Sequence, residues 1–237
     1  MAKVFQFQQF AIRQTSSAMK VGTDGVLLGA WALGTPQDSW ALDIGTGTGL
    51  VALQLAQRFE RLNIDAIEID PLAAAEARFN FSTSPWADRC YLLEQSFADF
   101  CLVAKRRYDL IVCNPPFFSP SRSENIQRSM ARQAHHLPYQ QLIGGVEKML
   151  TPQGHFSLIV PTDYAEKIID SAKTTALHLI KNTAVKGHIG APVKRQLLCF
   201  SPTQRHVEED ELVLEISRHQ KTDAYQALVQ DFYLPKS

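Results

Sequence analysis

Long apolar runs are missing from this chain of 237 residues. No stretch of eighteen uninterrupted apolar residues exists, so a membrane-spanning helix is not expected. The opening Met1-Ala2-Lys3-Val4-Phe5-Gln6 lacks the apolar core of a secretory signal. Cysteine is scarce, and Cys90, Cys101, Cys113 and Cys199 lie scattered, mostly in apolar runs. No CxxC pair or His/Cys cluster has metal-ligand spacing, which favours buried, reduced thiols in a cytoplasmic protein and no metal. The pair His135-His136 likewise has no partner ligands at suitable spacing. Repeats, low-complexity tracts and linkers are absent too, so the expectation is a single domain over residues 1–237. Nothing in the sequence demands more than a monomer.

Net charge is also lacking, with 24 basic against 24 acidic residues. That argues against a protein coated for nucleic acid, but the distribution is uneven. Residues 1–23 carry Lys3, Arg13 and Lys20 and no acid. From Ser171 to Val207 there is again no acid, against Lys173, Lys181, Lys186, Lys194, Arg195 and Arg205. If these segments share a face they form a polyanion footprint; otherwise they are ordinary surface variation.

What is present is an alternation of short apolar runs with helical stretches. Strands are expected at Trp40–Ile44, Ile64–Ile69, Tyr91–Glu94, Leu110–Cys113, His155–Val160, Leu179–Val185, Gln196–Phe200 and Leu212–Ile216. Helices are expected at Leu50–Phe59, Leu72–Phe81, Phe97–Lys105, Tyr139–Leu150, Tyr164–Leu177 and Asp223–Phe232. Such alternation builds a parallel sheet with helices on both faces. Residues 1–20 read as an arm or short hairpin. Residues 118–138, rich in Ser, Pro, Arg and His, read as a long mobile loop, which in a compact domain is usually functional or disordered.

The run Leu42-Asp43-Ile44-Gly45-Thr46-Gly47-Thr48-Gly49-Leu50 follows a strand and opens a helix. Gly45 and Gly47 allow positive φ and close approach of backbone to a ligand. The next strand ends in Glu68, with Asp70 just after, where an acid can accept from both hydroxyls of a ribose. The spacing is GxGxG, not the GxGxxG of dinucleotide binders, and Asp43 precedes it. An acid there suits the cationic methionine part of S-adenosylmethionine and would disfavour a pyrophosphate. The oxidoreductase reading is therefore the weaker one.

The fourth strand ends in Cys113-Asn114-Pro115-Pro116-Phe117. Consecutive prolines stiffen the chain and remove two donors, leaving carbonyl acceptors. The Asn114 side-chain oxygen and the Pro115 carbonyl can take the two N–H donors of a planar amine while Phe117 stacks on its ring. A sulfonium methyl is already electrophilic, so alignment matters more than acid-base chemistry. Hydrogen bonds to both N–H groups favour the pyramidal geometry of an adenine amine under attack. In folded RNA the base must leave its stack.

This arrangement resembles the class I methyltransferases with an (N/D/S)PP(Y/F/W) motif. More closely, essentially the whole chain is similar to the bacterial family of transfer RNA adenine-N6 methyltransferases that act on adenosine 37 of a valine tRNA. The stretches Ala18–Trp31, Ser84–Arg89 and Tyr225–Leu234 carry the closer likeness. The resemblance implies a Rossmann-like, doubly wound α/β fold: a mostly parallel seven-stranded sheet with an antiparallel C-terminal strand. It implies S-adenosylmethionine as cofactor, held by Lys20, Thr23 and Asp24 at its methionine end, by Asp43 and Gly45 at the first motif, and by Glu68 at the ribose. Lys20 is otherwise a solvated charge. Where relatives place an Asp for the adenine amine, this chain has Ser96-Phe97, and Ser96 or a backbone group would take that hydrogen bond. Arg122, Arg128 and Arg132 lie where a substrate must approach, either holding RNA phosphates or solvated on the loop. The rivals are a methyltransferase for protein glutamine-N5 or for another base in ribosomal RNA, and a non-catalytic RNA-binding module on the same fold.

Overall fold

The computed structural model describes residues 3–15, 20–115 and 137–235. Within them, the strands β1 (Val4–Gln6) and β2 (Ala11–Arg13) pair as an antiparallel hairpin. There follow α1 (Thr23–Trp31), β3 (Trp40–Ile44), α2 (Leu50–Arg58), β4 (Asn63–Glu68), α3 (Pro71–Ser82), β5 (Cys90–Glu94), α4 (Phe97–Val103) and β6 (Tyr108–Cys113). The second half holds α5 (Tyr139–Met149), β7 (Leu150–Pro161), α6 (Thr162–Ala172), β8 (His178–His188), β9 (Val193–Ser201), β10 (Glu208–Ser217), β11 (Gln220–Lys221) and α7 (Asp223–Val229).

Nine strands form one sheet in the order β11-β10-β8-β9-β7-β6-β3-β4-β5. From β7 through β5 every pair is parallel, while β9 runs antiparallel to both neighbours, β7 and β8. This is the expected doubly wound sheet, extended by two strands: β10 adds in parallel to β8, and β11 closes the edge.

Strand alternation divides the core between the two faces of the sheet. Leu110, Val112, Leu197 and Cys199 join one apolar cluster with residues of α1, α2, α3, α7 and the hairpin. Ile111, Cys113, Leu198 and Phe200 join the other, with residues of α4, α5 and α6. Burial raises the thiols of Cys90 and Cys199 to about 12, so they remain protonated and unreactive.

α1 escaped the sequence reading. Its residues from Gly25 to Trp31 are all buried, so no polar face marks a helical period. Its closest neighbour is α2, and Gly29 makes the approach possible: a Cβ there would lie 2.3 Å from Gln54 Oε1 and 2.9 Å from Gln54 Cβ. Gln54 cannot swing away freely, because it is fully buried and its Nε2 donates to the Val26 carbonyl. Arg58 Nη1 donates to the carbonyls of Gly29 and Ala32, satisfying the end of α1. Gly29→Ala should cost about 1–3 kcal/mol through overpacking, more than the roughly 1 kcal/mol that helix propensity returns. Chemical denaturation measures this, and an unchanged midpoint would show that overpacking costs no more than the propensity gain.

The hairpin is clamped between the C-terminal segment and α3. Gln8 donates through its backbone N to the Phe232 carbonyl and through Nε2 to those of Gln230 and Tyr233. On its other side, Asn80 of α3 accepts from Arg13 N at 2.9 Å and donates to the Arg13 and Thr48 carbonyls.

The acid-free stretch from Ser171 to Val207 is largely neutralised by this topology. Parallel pairing lays β10 along β8, and Lys181 meets Glu208 and Asp210 while Lys186 meets Glu211. Lys173 pairs with Asp170. A broad basic face is not formed there.

Candidate active site

The parallel strands deliver their C-terminal ends to one edge of the sheet. Register places Ile44 beside Ile67 and Cys113, and Glu68 beside Glu94. Chain order reverses here, since β4 and β5 lie on one side of β3 and β6 on the other. A crevice at such a switch point is where open α/β sheets bind ligands.

At the end of β3 the chain turns through Gly45, Gly47 and Gly49, with φ of 69°, 58° and 85°. The three glycines have different duties. A Cβ on Gly49 would lie 2.5 Å from the Phe81 ring, so this glycine lets α2 pack on α3. A Cβ on Gly45 or Gly47 would meet nothing within 4 Å, so these two border open space. Hydrogen bonds hold the turn: Thr46 N donates to the Ile67 carbonyl and Gly47 N to Glu68 Oε2, both at 2.9 Å. Glu68 Oε1 accepts from the N–H groups of Ile69 and Asp70. Asp70 itself caps α3 by accepting from Leu72 N and Ala73 N ahead of Pro71. Of the two acids seen in the sequence, Glu68 faces the turn and Asp70 is spent on the helix.

Asp43 is almost wholly buried beneath the same turn. Thr46 Oγ1 donates to its Oδ2 at 2.6 Å and Ala52 N at 3.2 Å. Its Oδ1 takes no hydrogen bond from any described residue. Burial raises the carboxyl to about 7, against the opposing pull of those two donors. A carboxylate oxygen without a donor, on a side chain otherwise buried and next to the open space at Gly45 and Gly47, fits a cationic ligand.

Asn114 and Pro115 follow β6, half-buried and buried respectively. α1 backs onto this point, because a Cβ on Gly25 would lie 3.0 Å from Leu50 and 3.9 Å from Asn114 Nδ2. In the first turn of α1, Thr23 is exposed and Asp24 pairs with Arg195 of β9, Nε to Oδ2 at 2.8 Å. Lys20 is exposed just before the helix. The Arg195 partner had no sequence signal, because 171 positions separate it from Asp24.

Ser96 caps α4: its Oγ accepts from Asp99 N at 3.0 Å and lies 2.6 Å from Asp99 Oδ2, to which the hydroxyl donates. Asp99, missed in the sequence reading, therefore places a carboxylate beside Ser96. The Phe97 ring is buried in the core, close enough that a Cβ on Gly145 would come within 2.7 Å of it. Phe97 N, first in its helix, donates to nothing among the described residues. Phe117, Arg122, Arg128, Arg132 and most of the expected loop at 118–138 lie outside the described residues. Among the described residues no group of three or more His, Cys, Asp or Glu could hold a metal ion, and no helix is long and apolar enough to cross a membrane.

Solved structures share this fold at low identity. A predicted O-methyltransferase from Agrobacterium tumefaciens superposes with a TM-score of 0.69 at 18% identity, over 88% of this chain and 96% of that one. The glycopeptide N-methyltransferase MtfA, complexed with S-adenosyl-L-methionine, gives 0.55 at 13% identity, over 79% of this chain and 91% of its own. The family model for the methyltransferase small domain matches residues 24–161. Full-length relatives are much closer. The tRNA1(Val) (adenine(37)-N6)-methyltransferase of Flavobacterium psychrophilum is 44% identical over 98% of this chain and 99% of its own length. That of Bacteroides fragilis is 43% identical over 97% of both chains. Residues 24–161 form a methyltransferase small domain, and the chain belongs to the family of tRNA1(Val) (adenine(37)-N6)-methyltransferases.

Proposed function

We propose that residues 1–237 act as a single methyltransferase domain that moves a methyl group from S-adenosylmethionine to N6 of an adenine in tRNA, adenosine 37 of a valine tRNA. The observation that carries the reading is the register of β3, β4 and β6. It brings Asn114-Pro115, Asp43 and Glu68 to the same C-terminal edge of the sheet, with open space at the glycine turn, which supports one shared pocket. The cytoplasm, where tRNA and reduced thiols occur together, is the natural location, and the domain acts as a monomer.

When bound, the cofactor supplies a methyl group on positively charged sulfur. Asp43 offers its free Oδ1 to the cationic methionine end, and Lys20, Thr23 and Asp24 close that end from α1. Gly45 and Gly47 keep the turn thin enough for close approach. Glu68 Oε2, already fixed by Gly47 N, has a remaining lone pair for a ribose hydroxyl. The Ser96–Asp99 pair offers an acceptor to the adenine amine, and Phe97 N offers a donor to a ring nitrogen. At the reacting end, the Asn114 side-chain oxygen and the Pro115 carbonyl hold the target amine by its two N–H groups, and Phe117 stacks on the base. These acceptors draw the nitrogen lone pair toward the methyl group and stabilise the positive charge that develops on it. The surplus proton then leaves to water. Arg122, Arg128 and Arg132, which follow Phe117 in the sequence, hold backbone phosphates.

The test is a labelled-methyl assay on total tRNA from a strain lacking this protein, followed by nucleoside mass spectrometry. We expect one new N6-methyladenosine peak, in a single valine tRNA. Label entering protein or ribosomal RNA and not tRNA would sink the substrate assignment while keeping the reaction class.

A further inference from the structure

We propose that the outer end of the β8–β9 hairpin, with the adjoining β10–β11 turn, grips the phosphate backbone of the tRNA at a second point, away from the methyl-transfer pocket. This rests on the tRNA reading above. The first support is topological. Across the sheet, Cys113 at the end of β6 is level with Leu158, Leu198 and Asn182. β8 runs on from Asn182 to His188, so the hairpin projects about six residues, or roughly 20 Å, past the level of Cys113 at ~3.3 Å per residue. β10 follows it, with Glu215 beside His188, and its turn at Arg218-His219 reaches further in the same direction. Both tips therefore stand on the side of the sheet where the substrate must arrive.

The second support is charge. Asp24, Glu211 and Glu215 at this end are each already paired, with Arg195, Lys186 and Lys221. On the projecting strands what remains over is cationic, while the exposed Asp163 and Glu166 stand on α6 at the base of the hairpin. Lys194 and Arg218 are exposed, and neither side chain has a hydrogen bond or ion pair among the described residues. His188 and His219 are exposed beside them. Two free cations on projecting backbone, where the acids of the projecting strands are already paired, complement a polyanion and suit no apolar partner.

The third support is mechanical. The Arg195–Asp24 pair fastens the base of the hairpin to the first turn of α1, and that helix backs onto Asn114. A tRNA held at the hairpin is thereby held at a set distance from the reacting pocket.

The experiment is fluorescence anisotropy of labelled valine tRNA with the full-length protein, across 50–200 mM salt, alongside methyl transfer. For Lys194→Glu with Arg218→Glu we expect tRNA binding at least tenfold weaker. The slope of log affinity against log salt should fall by about 1.5–2, as expected for two lost phosphate contacts. Affinity for S-adenosylhomocysteine should stay unchanged. If the double Glu variant melts early, Lys194→Gln with Arg218→Gln decides instead, with the same fall in slope and a smaller loss of affinity. Unchanged tRNA affinity and slope in the Gln or Glu pair, or no tRNA binding by the unmutated protein, overturns the proposal. If that protein binds tRNA with the stated dependence yet transfers no methyl group to it, the methylation reading falls and this surface stands.

Discussion

Asn114→Ala should lower methyl transfer about 10²–10³-fold, the range found when one preorganised group facing developing charge is removed. Cofactor affinity should change little. The residue sits on the β6 side of β3, while the turn, Asp43 and Glu68 are held by bonds among themselves that never pass through it. The loss should fall on the maximal rate at saturating tRNA, because the contact to the amine strengthens only as charge develops. Asn114→Asp keeps an acceptor oxygen at the same place and should retain more activity than the alanine variant. Single-turnover rates with saturating cofactor, next to calorimetric titration with S-adenosylhomocysteine, separate the two effects. Near-normal turnover by Asn114→Ala would remove the residue from the mechanism.

Asp43→Asn should weaken cofactor binding by about ten- to a hundredfold, corresponding to the loss of one charged contact worth ~1.5–3 kcal/mol. The substitution is unusually clean. Both donors, Thr46 Oγ1 and Ala52 N, bond to a single oxygen, Oδ2, and an amide oxygen can accept both. What disappears is the charge, and with it the free acceptor Oδ1, whose place is taken by the amide NH2.

The pH dependence follows from the carboxyl's raised value of about 7, against 3.8 unfolded. In the free protein, burial favours the neutral carboxyl. That contribution to stability is full below the unfolded value and is lost as pH rises through about 7. A cationic ligand favours the ionised form, so cofactor affinity should run the other way and rise roughly tenfold between pH 6 and 8. In Asp43→Asn it should be weak and flat over that range. A wild-type profile without slope would mean that Asp43 is ionised throughout or faces no cation.

Much of the parallel half of the sheet was legible in the sequence, for a local reason. β3, β4, β5 and β6 are short apolar runs bounded by turn residues, and β4 and β5 are each followed by a helix with a start signal. Asp70-Pro71 and Ser96 open α3 and α4 as the sequence pattern expects, with caps that use only neighbouring residues. The glycine turn was legible likewise, since three left-handed positions within five residues require glycine. α1 was not, because a helix buried on every side has no period to read. β10 and β11 were under-read: β10 is strongly acidic, and its acids make sense only beside the lysines of β8.

For the site, Asp43, Glu68 and Asn114 could be picked out because motif spacing encodes strand ends, and strand ends are where a parallel sheet binds. Local sequence determined the strand-turn-helix units, the acids that close them and the stiff acceptor run after β6. Only the tertiary structure decided which glycine borders open space and which packs on Phe81, that Asp24 belongs to Arg195, and that the basic stretch of β8 is mostly cancelled while Lys194 and Arg218 are left over. Those outcomes depend on contacts between residues far apart in the chain. Charge and space at such points are set by which strands become neighbours, and no window of sequence contains both partners.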